Sequence, residues 1–180
     1  MKKIGFLGLG VMGLPMAKNV IKGTKQAIMG FDVAQNRLDE LKEAGGIPVK
    51  DPDEIYRSCD IIMQMLPTHA TIIHSVERAI ELGKPGNIII DCSSTAPDII
   101  QELYAKTKAA GMTLLDSPVS GGNPMAIAGT RAIMTGGDKE AFDEVLPILE
   151  SMGKPVYTGK SGSGDVTKLV NNMIAGNMLT

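Results

Sequence analysis

The chain alternates short apolar runs with longer amphipathic ones, and that alternation predicts its elements. Ile4 to Leu7 carries no polar side chain, as expected of a strand covered on both faces. Apolar runs recur at Ala27 to Phe31, Ile47 to Val49, Asp60 to Leu66, Asn87 to Asp91, Met112 to Asp116, Thr130 to Thr135 and Pro155 to Thr158. Between them, Met12 to Ile21, Gln35 to Ala44, Asp51 to Ser58, Thr71 to Leu82, Pro97 to Ala110, Lys139 to Met152 and Asp165 to Thr180 read as helices. Gly45-Gly46 stops the second helix, and Asp51 with Pro52 opens the third. Ser117 to Met125, with two glycines and two prolines, reads as a loop, as does Gly159 to Gly164. The strand–helix rhythm predicts an α/β fold of Rossmann-like type: a doubly wound, mostly parallel sheet with helices on both faces. No repeat or linker interrupts it. The last helix has Gly176 inside its pattern and no C-cap, and Met173, Ile174, Met178 and Leu179 want a partner. The expectation is a chain that stops within a helix.

The first strand runs into Gly8-Leu9-Gly10-Val11-Met12-Gly13, a G-x-G-x-x-G turn that opens a helix. This is the dinucleotide fingerprint in the context it needs. Gly8 permits a tight turn, Gly10 lets the backbone approach a pyrophosphate, and Gly13 lets helix and strand lie close. The unpaired N–H groups at the helix start hold the anion. The second strand ends in Asp32, about 20 residues on, where the fingerprint calls for an acid. A carboxylate there accepts hydrogen bonds from both ribose hydroxyls of NAD and repels the 2′-phosphate of NADP. Val33, Ala34 and Gln35 follow, and Arg37 is the nearest cation, so NAD is favoured over NADP. The plainer role for Asp32 is to cap the next helix.

Composition narrows the classes. A chain of 180 residues suits one domain with a sizeable core, and a net charge of -2 gives no footprint for nucleic acid. No apolar run approaches the ~20 residues that span a membrane. The opening Met-Lys-Lys-Ile-Gly-Phe-Leu-Gly is broken by glycines and has no cleavage site, so it is not read as a signal peptide. A cytoplasmic protein is expected. Cys59 and Cys92 fit a reducing compartment and have no metal-ligand spacing, so no metal site is expected and Cys92 reads as a buried thiol. The 12 methionines and absent Trp point to a core of aliphatic and thioether side chains.

In a doubly wound fold, ligands sit at the C-terminal strand ends. Leu66-Pro67-Thr68, Ser93-Ser94-Thr95-Ala96-Pro97 and Ser117-Pro118-Val119-Ser120-Gly121-Gly122 should therefore face one crevice. The amides of Ser120, Gly121 and Gly122 suit a carboxylate. Ser94 reads equally as a ligand contact or a helix cap. Lys168 falls in the first turns of the last helix, with Asn172 one turn later on the same face. On spacing alone, Lys168 reads as a solvated helix lysine.

Five motifs together resemble the NAD(P)-dependent β-hydroxyacid dehydrogenases. They are Gly-Leu-Gly-Val-Met-Gly at 8–13, Met-Leu-Pro at 65–67, Asp-Cys-Ser-Ser at 91–94, Pro-Val-Ser-Gly-Gly at 118–122 and Gly-Ser-Gly-Asp-Val-Thr-Lys-Leu-Val-Asn-Asn at 162–172. This family includes 3-hydroxyisobutyrate dehydrogenase, 2-hydroxy-3-oxopropionate reductase and 2-(hydroxymethyl)glutarate dehydrogenase, with 6-phosphogluconate dehydrogenase more distant. The resemblance implies hydride transfer between NAD and a small 3-hydroxy acid or its semialdehyde. It implies that Val11 and Met12 meet the pyrophosphate, Asp32 the ribose, and Leu66, Pro67 and Ser94 the rest of the cofactor. It implies that Ser120, Gly121 and Gly122 hold the substrate carboxylate, that Lys168 is the general acid/base and that Asn172 orients the substrate. Residues 1–163 then form the dinucleotide-binding domain and 164–180 the start of an interdomain helix. The family's all-helical C-terminal domain is absent, so the chain alone should be inactive. The full-length protein is expected to be a homo-oligomer, dimer or tetramer.

Two positions depart from the family pattern. Asn123-Pro124-Met125 replaces small residues after Ser-Gly-Gly, and Thr95 stands where an aliphatic side chain is frequent. The alternatives are a 6-phosphogluconate dehydrogenase, a non-catalytic NAD(P)-binding module and an imine reductase. Asp32 and Asn171 speak against the first, and Lys168 against the other two.

Overall fold

Residues 2–177 are described by a computed structural model; Met178, Leu179 and Thr180 of the expected last helix lie outside the described residues. The chain runs β1 (Ile4–Leu7), α1 (Gly13–Thr24), β2 (Met29–Phe31), α2 (Gln35–Glu43), β3 (Ile47–Pro48), α3 (Asp53–Ser58), β4 (Ile61–Gln64), α4 (His69–Leu82) and β5 (Ile88–Asp91). It continues through α5 (Pro97–Ala109), β6 (Thr113–Asp116), β7 (Val119–Ser120), α6 (Asn123–Ala128), β8 (Arg131–Gly136), α7 (Lys139–Met152), β9 (Gly153–Gly159) and α8 (Ser163–Asn177). Apart from β7 and α6, the element types match the sequence reading, with ends shifted by the residue or two that helix and strand termini commonly show.

Strand order is β3-β2-β1-β4-β5-β6-β8, and β8 also pairs with β7 and β9. Six of the pairings are parallel; β6–β8 and β7–β8 are antiparallel. The order reverses between β1 and β4, which makes their C-terminal ends the switch point where such sheets bind ligands.

The sheet's two faces separate its apolar side chains by strict alternation. Phe6, Met63, Ile90 and Leu115 stand in one register row and belong to a core shared with α1 and α7. The next row along the strands, Ile62, Ile89 and Leu114, belongs to a second core under α3, α4 and α5. Each row is fully buried, which is why β1, β4 and β5 carry continuous apolar runs rather than alternating ones.

One segment departs from expectation. The sequence predicts a loop over Ser117 to Met125, but this stretch contains β7 and the start of α6. Pro124 sits in the first turn of α6, where its missing N–H costs nothing, and Gly129 ends the helix at φ 65°. Turn-forming residues at both helix ends hid a six-residue helix between them.

The turn between β1 and α1 leaves no room for a side chain at Gly13. Gly8 has φ +86°, a region that L side chains avoid. A Cβ on Gly13 would overlap the Gly8 carbonyl oxygen, whereas one on Gly10 would meet nothing within 4 Å. Gly13→Ala is therefore expected to lose about 3 kcal/mol of unfolding free energy by overpacking, while Gly10→Ala stays within about 1 kcal/mol of the parent. Urea titration of both variants checks this; equal losses would show that Gly13's close packing is not what fixes the turn.

Candidate functional site

At the switch point lies a cleft of about 870 Å³. Gly8, Gly10, Val11, Met12, Gly13, Asp32, Leu66 and Pro67 all line it. The turn after β1 forms its floor: the Gly8 amide donates to the Phe31 carbonyl at 3.0 Å and the Leu14 amide to the Gly10 carbonyl at 3.1 Å. Met12 is the N-cap residue of α1 and makes no side-chain cap. The amides ahead of Leu14 at the start of this 12-residue helix meet no side-chain cap and are thus left for an anion. The opposite wall carries Tyr56, Ala70, Thr71, His74 and Ser75, which the sequence reading did not single out.

Asp32 follows β2, and its carboxylate organises the turn around it. Oδ2 accepts from the Leu9 amide at 2.7 Å and Oδ1 from the Ala34 amide at 2.8 Å. It does not cap α2, whose N-cap residue is Ala34. A carboxylate oxygen accepts more than one donor, so Asp32 keeps capacity toward the cleft.

The other strand ends are organised the same way. Asp91 ends β5; its Oδ1 accepts from the Ser93 amide at 3.1 Å and its Oδ2 from the Thr95 hydroxyl at 2.7 Å. Ser93 Oγ in turn accepts from the Leu66 amide at 2.9 Å, which joins the loops after β4 and β5. Ser94 is exposed, does not line the cleft, and caps nothing: the N-cap residue of α5 is Ala96. Thr95, unusual in the resemblance, is explained by its hydroxyl bond to Asp91; its backbone amide, as any residue's could, donates to Asp165 Oδ1 at 3.0 Å.

Asp116 ends β6 and holds the start of α8. Its Oδ1 accepts from the Gly162 amide at 2.9 Å; its Oδ2 accepts from Gly164 at 2.8 Å and Asp165 at 3.2 Å. The sequence reading did not single out Asp116. A short signal existed, because Asp91 and Asp116 both end apolar strands at the ligand edge.

This clasp sets Lys168 in the second turn of α8, half-buried, with its pKa held below the usual lysine value. Burial is the main cause and the Arg131 charge the second. Ser120 lies at the end of β7, Gly121 has φ +120°, and Gly122 caps α6. The side chain that reaches Ser120 is Asn171, whose amide donates to Ser120 Oγ at 2.9 Å; Asn172 is exposed. None of Lys168, Asn172, Ser120, Gly121 and Gly122 lines the 870 Å³ cleft. Both cysteines are buried; burial pushes the Cys59 thiol up to about 11 and Cys92 higher still.

Fold and cleft define a dinucleotide-binding domain of the Rossmann type. Residues 3–162 match the family model described as the NAD binding domain of 6-phosphogluconate dehydrogenase. The chain is 35% identical over 178 residues to an NAD-dependent L-serine dehydrogenase of Pseudomonas aeruginosa, with 97% of this chain and 59% of that protein covered. It is 33% identical to the 2-(hydroxymethyl)glutarate dehydrogenase of Eubacterium barkeri, with the same coverage. The solved structure of Mycobacterium tuberculosis 3-hydroxyisobutyrate dehydrogenase with L-serine superposes with a TM-score of 0.92 at 34% identity, covering 97% of this chain and 60% of that one. The chain belongs to the β-hydroxyacid dehydrogenase family, of which it carries the NAD-binding domain. It spans about three fifths of the length of these relatives. Among the described residues, no helix is long and apolar enough to cross a membrane.

The carboxylates at the sheet edge predict a pH dependence. Burial raises Asp91 and Asp116 above the usual range, and burial with both of those charges nearby raises Asp165 to about 8. Asp165 Oδ2 is buried without a partner. In the unfolded chain Asp165 ionises near 3.8; in the fold it keeps its proton to about 8. The folded state therefore binds the extra proton between these values, and stability falls as pH rises through that window. Asp165→Asn removes this penalty. The variant should show a flatter stability profile from pH 5 to 8 and gain of the order of 1 kcal/mol or more at pH 8.5. Urea unfolding at three pH values reads this out, and an unchanged slope would mean that Asp165 ionises normally in the fold.

Proposed function

We propose that this chain is the cofactor-binding part of an NAD-dependent dehydrogenase that interconverts a small 3-hydroxy acid and its semialdehyde or oxo acid. One observation carries the reading: the Asp116 clasp seats α8, and with it a half-buried Lys168, at the sheet edge that holds the glycine turn and Asp32. Two relatives add the substrate class. One is named for L-serine and the other was solved with L-serine, itself a 3-hydroxy acid.

The residues divide the work. The amides at the start of α1 and the open face of Gly10 receive the diphosphate. Asp32 takes the ribose hydroxyls and disfavours a 2′-phosphate. Arg37, the nearest cation, is engaged by Glu40 at 2.9 Å, which further favours NAD over NADP. Leu66 and Pro67 close the apolar wall, and Ser94 lies toward the nicotinamide half. Ser120, Gly121 and Gly122 hold the carboxylate, with Asn172 orienting the substrate. NAD supplies the hydride acceptor. Lys168 Nζ, in its neutral form, takes the hydroxyl proton as the carbonyl forms, and the ammonium returns it in the reverse direction. Its lowered pKa enlarges the neutral fraction at any working pH. The exposed apolar residues Val166, Leu169, Val170, Met173 and Ile174 on α8 suit burial against the remainder of a longer, homo-oligomeric, cytoplasmic enzyme.

The test is turnover by the complete protein with NAD or NADP against 3-hydroxyisobutyrate, L-serine, glycerate, 2-(hydroxymethyl)glutarate and 6-phosphogluconate. One small 3-hydroxy acid should be oxidised with NAD preferred about tenfold or more, and Asp32→Ser should narrow that preference. Lys168→Ala should lower kcat by about 10²-fold or more with NADH affinity held within about threefold. The kcat/KM of the parent should rise with pH along a limb centred below 10.5, because burial and Arg131 depress Lys168. Near-normal turnover by Lys168→Ala would sink the mechanism, and preference for NADP would sink the role of Asp32.

A further inference from the structure

Arg131 opens β8 and is 0% exposed. No carboxylate pairs with it among the described residues; their ion pairs lie elsewhere. Its Nη2 donates to the Gly122 carbonyl at 3.1 Å and lies 3.0 Å from Met12 Sδ. Its Nη1 meets only Met16 Sδ, at 3.9 Å, and its Nε has no partner. Burial weakens its hold on its proton, yet a guanidinium stays charged throughout the working range. The molecule thus keeps a buried positive charge whose contacts are one carbonyl and two thioethers. A buried charge without a partner is unfavourable, and an apolar side chain of similar size would fill this place without that cost.

The position of the charge shows what would balance it. Met12 caps α1 and lines the cofactor cleft; Gly122 caps α6 at the end of the Ser120–Gly122 turn. Ser120 pairs in the sheet with Ala132, the neighbour of Arg131. The guanidinium therefore lies behind the turn that presents Ser120, Gly121 and Gly122, and the Arg131 charge is felt at Lys168. We infer that Arg131 is a positioning residue for an anionic substrate: it fixes the Ser120–Gly122 turn through the Gly122 carbonyl and supplies the buried positive charge that the substrate's carboxylate balances. This rests on the dehydrogenase reading for the place where substrate docks. It adds that the acid, rather than its neutral analogue, is selected from behind the turn. The cofactor's diphosphate, the other anion nearby, is already served by the amides of α1.

Two variants separate charge from geometry. Arg131→Gln keeps a donor toward the Gly122 carbonyl and removes the charge, whereas Arg131→Lys keeps the charge and loses the fork. The complete protein saturated with NADH is titrated calorimetrically with 3-hydroxypropionate and with its neutral amide. The parent should bind the acid about tenfold or more tightly than the amide, as expected for a charge-assisted contact. In R131Q this ratio should fall to within about threefold, with NADH affinity held; R131K should retain most of it. A ratio that persists in R131Q overturns the inference, as does a parent with no preference. A loss of NADH affinity with the ratio intact overturns it too, by assigning the charge to the diphosphate. If R131Q fails to bind NADH at all, R131K decides: retention of the ratio supports the charge, and its loss in a folded R131K overturns it. A parent that prefers the acid through Arg131 yet oxidises none of the hydroxy acids would refute the dehydrogenase reading and leave this one standing.

Discussion

The carboxylate of Asp116 joins the two halves of the site. It stands at the end of a central strand and receives three backbone N–H groups from residues 46 to 49 positions later. These are the amides a helix start leaves without internal partners, and a carboxylate is their strongest acceptor. Gly164 makes the approach close enough, since a Cβ there would lie within 2.8 Å of Asp116 Oδ2. Without the clasp, the start of α8 would keep only scattered single bonds, such as those from the Thr95 amide to Asp165 and from Asn171 to Ser120, and much of its apolar surface faces outward. The position of Lys168 relative to the cofactor cleft thus follows from one buried acid on a strand that does not touch the cofactor turn.

That arrangement carries an electrostatic cost. Asp91, Asp116 and Asp165 are all buried at one edge; burial raises all three, and the charges of the first two add to the rise at Asp165. The fold distributes the burden unequally. Asp116 and Asp91 are surrounded by donors, whereas Asp165 has the Thr95 amide on one oxygen and nothing on the other. With that oxygen unpartnered, burial raises Asp165 to about 8. A neutral Asp165 one turn before Lys168 leaves the lysine without a fixed counter-ion, so its pKa falls with burial instead of rising with an ion pair. Placing an ionised acid there would stabilise the ammonium and so work against the general-base role proposed for Lys168.

Much of this was legible in the chain, for reasons that differ by element. The glycine turn, Asp32 and the buried strands are local: period, turn chemistry and a fixed spacing specify them. The β7–α6 segment was not legible, because Pro118, Gly121, Gly122 and Pro124 each signal a turn and together outweigh a six-residue helix. The direction of β8 was equally hidden, since an apolar run reads the same in a parallel or an antiparallel pair. Asp116 and Arg131 were missed for a third reason. Their partners lie far along the chain, and a charged residue at a strand boundary reads as solvent-facing unless its partner is known.

The two overlooked residues have opposite signs and opposite states of satisfaction, and the difference is informative. Asp116 is paired by three donors within the chain, so its role is complete in the fold itself. Arg131 has one carbonyl and two sulfur atoms, so its charge is left open. A fold that uses buried acids to hold its backbone and leaves a buried base unmatched has an excess of unsatisfied positive charge between its cofactor turn and the Ser120–Gly122 turn. On the inference drawn above, an anion docked on the Ser120–Gly122 turn meets a field already in place, without the reorganisation a solvated lysine on the surface would need.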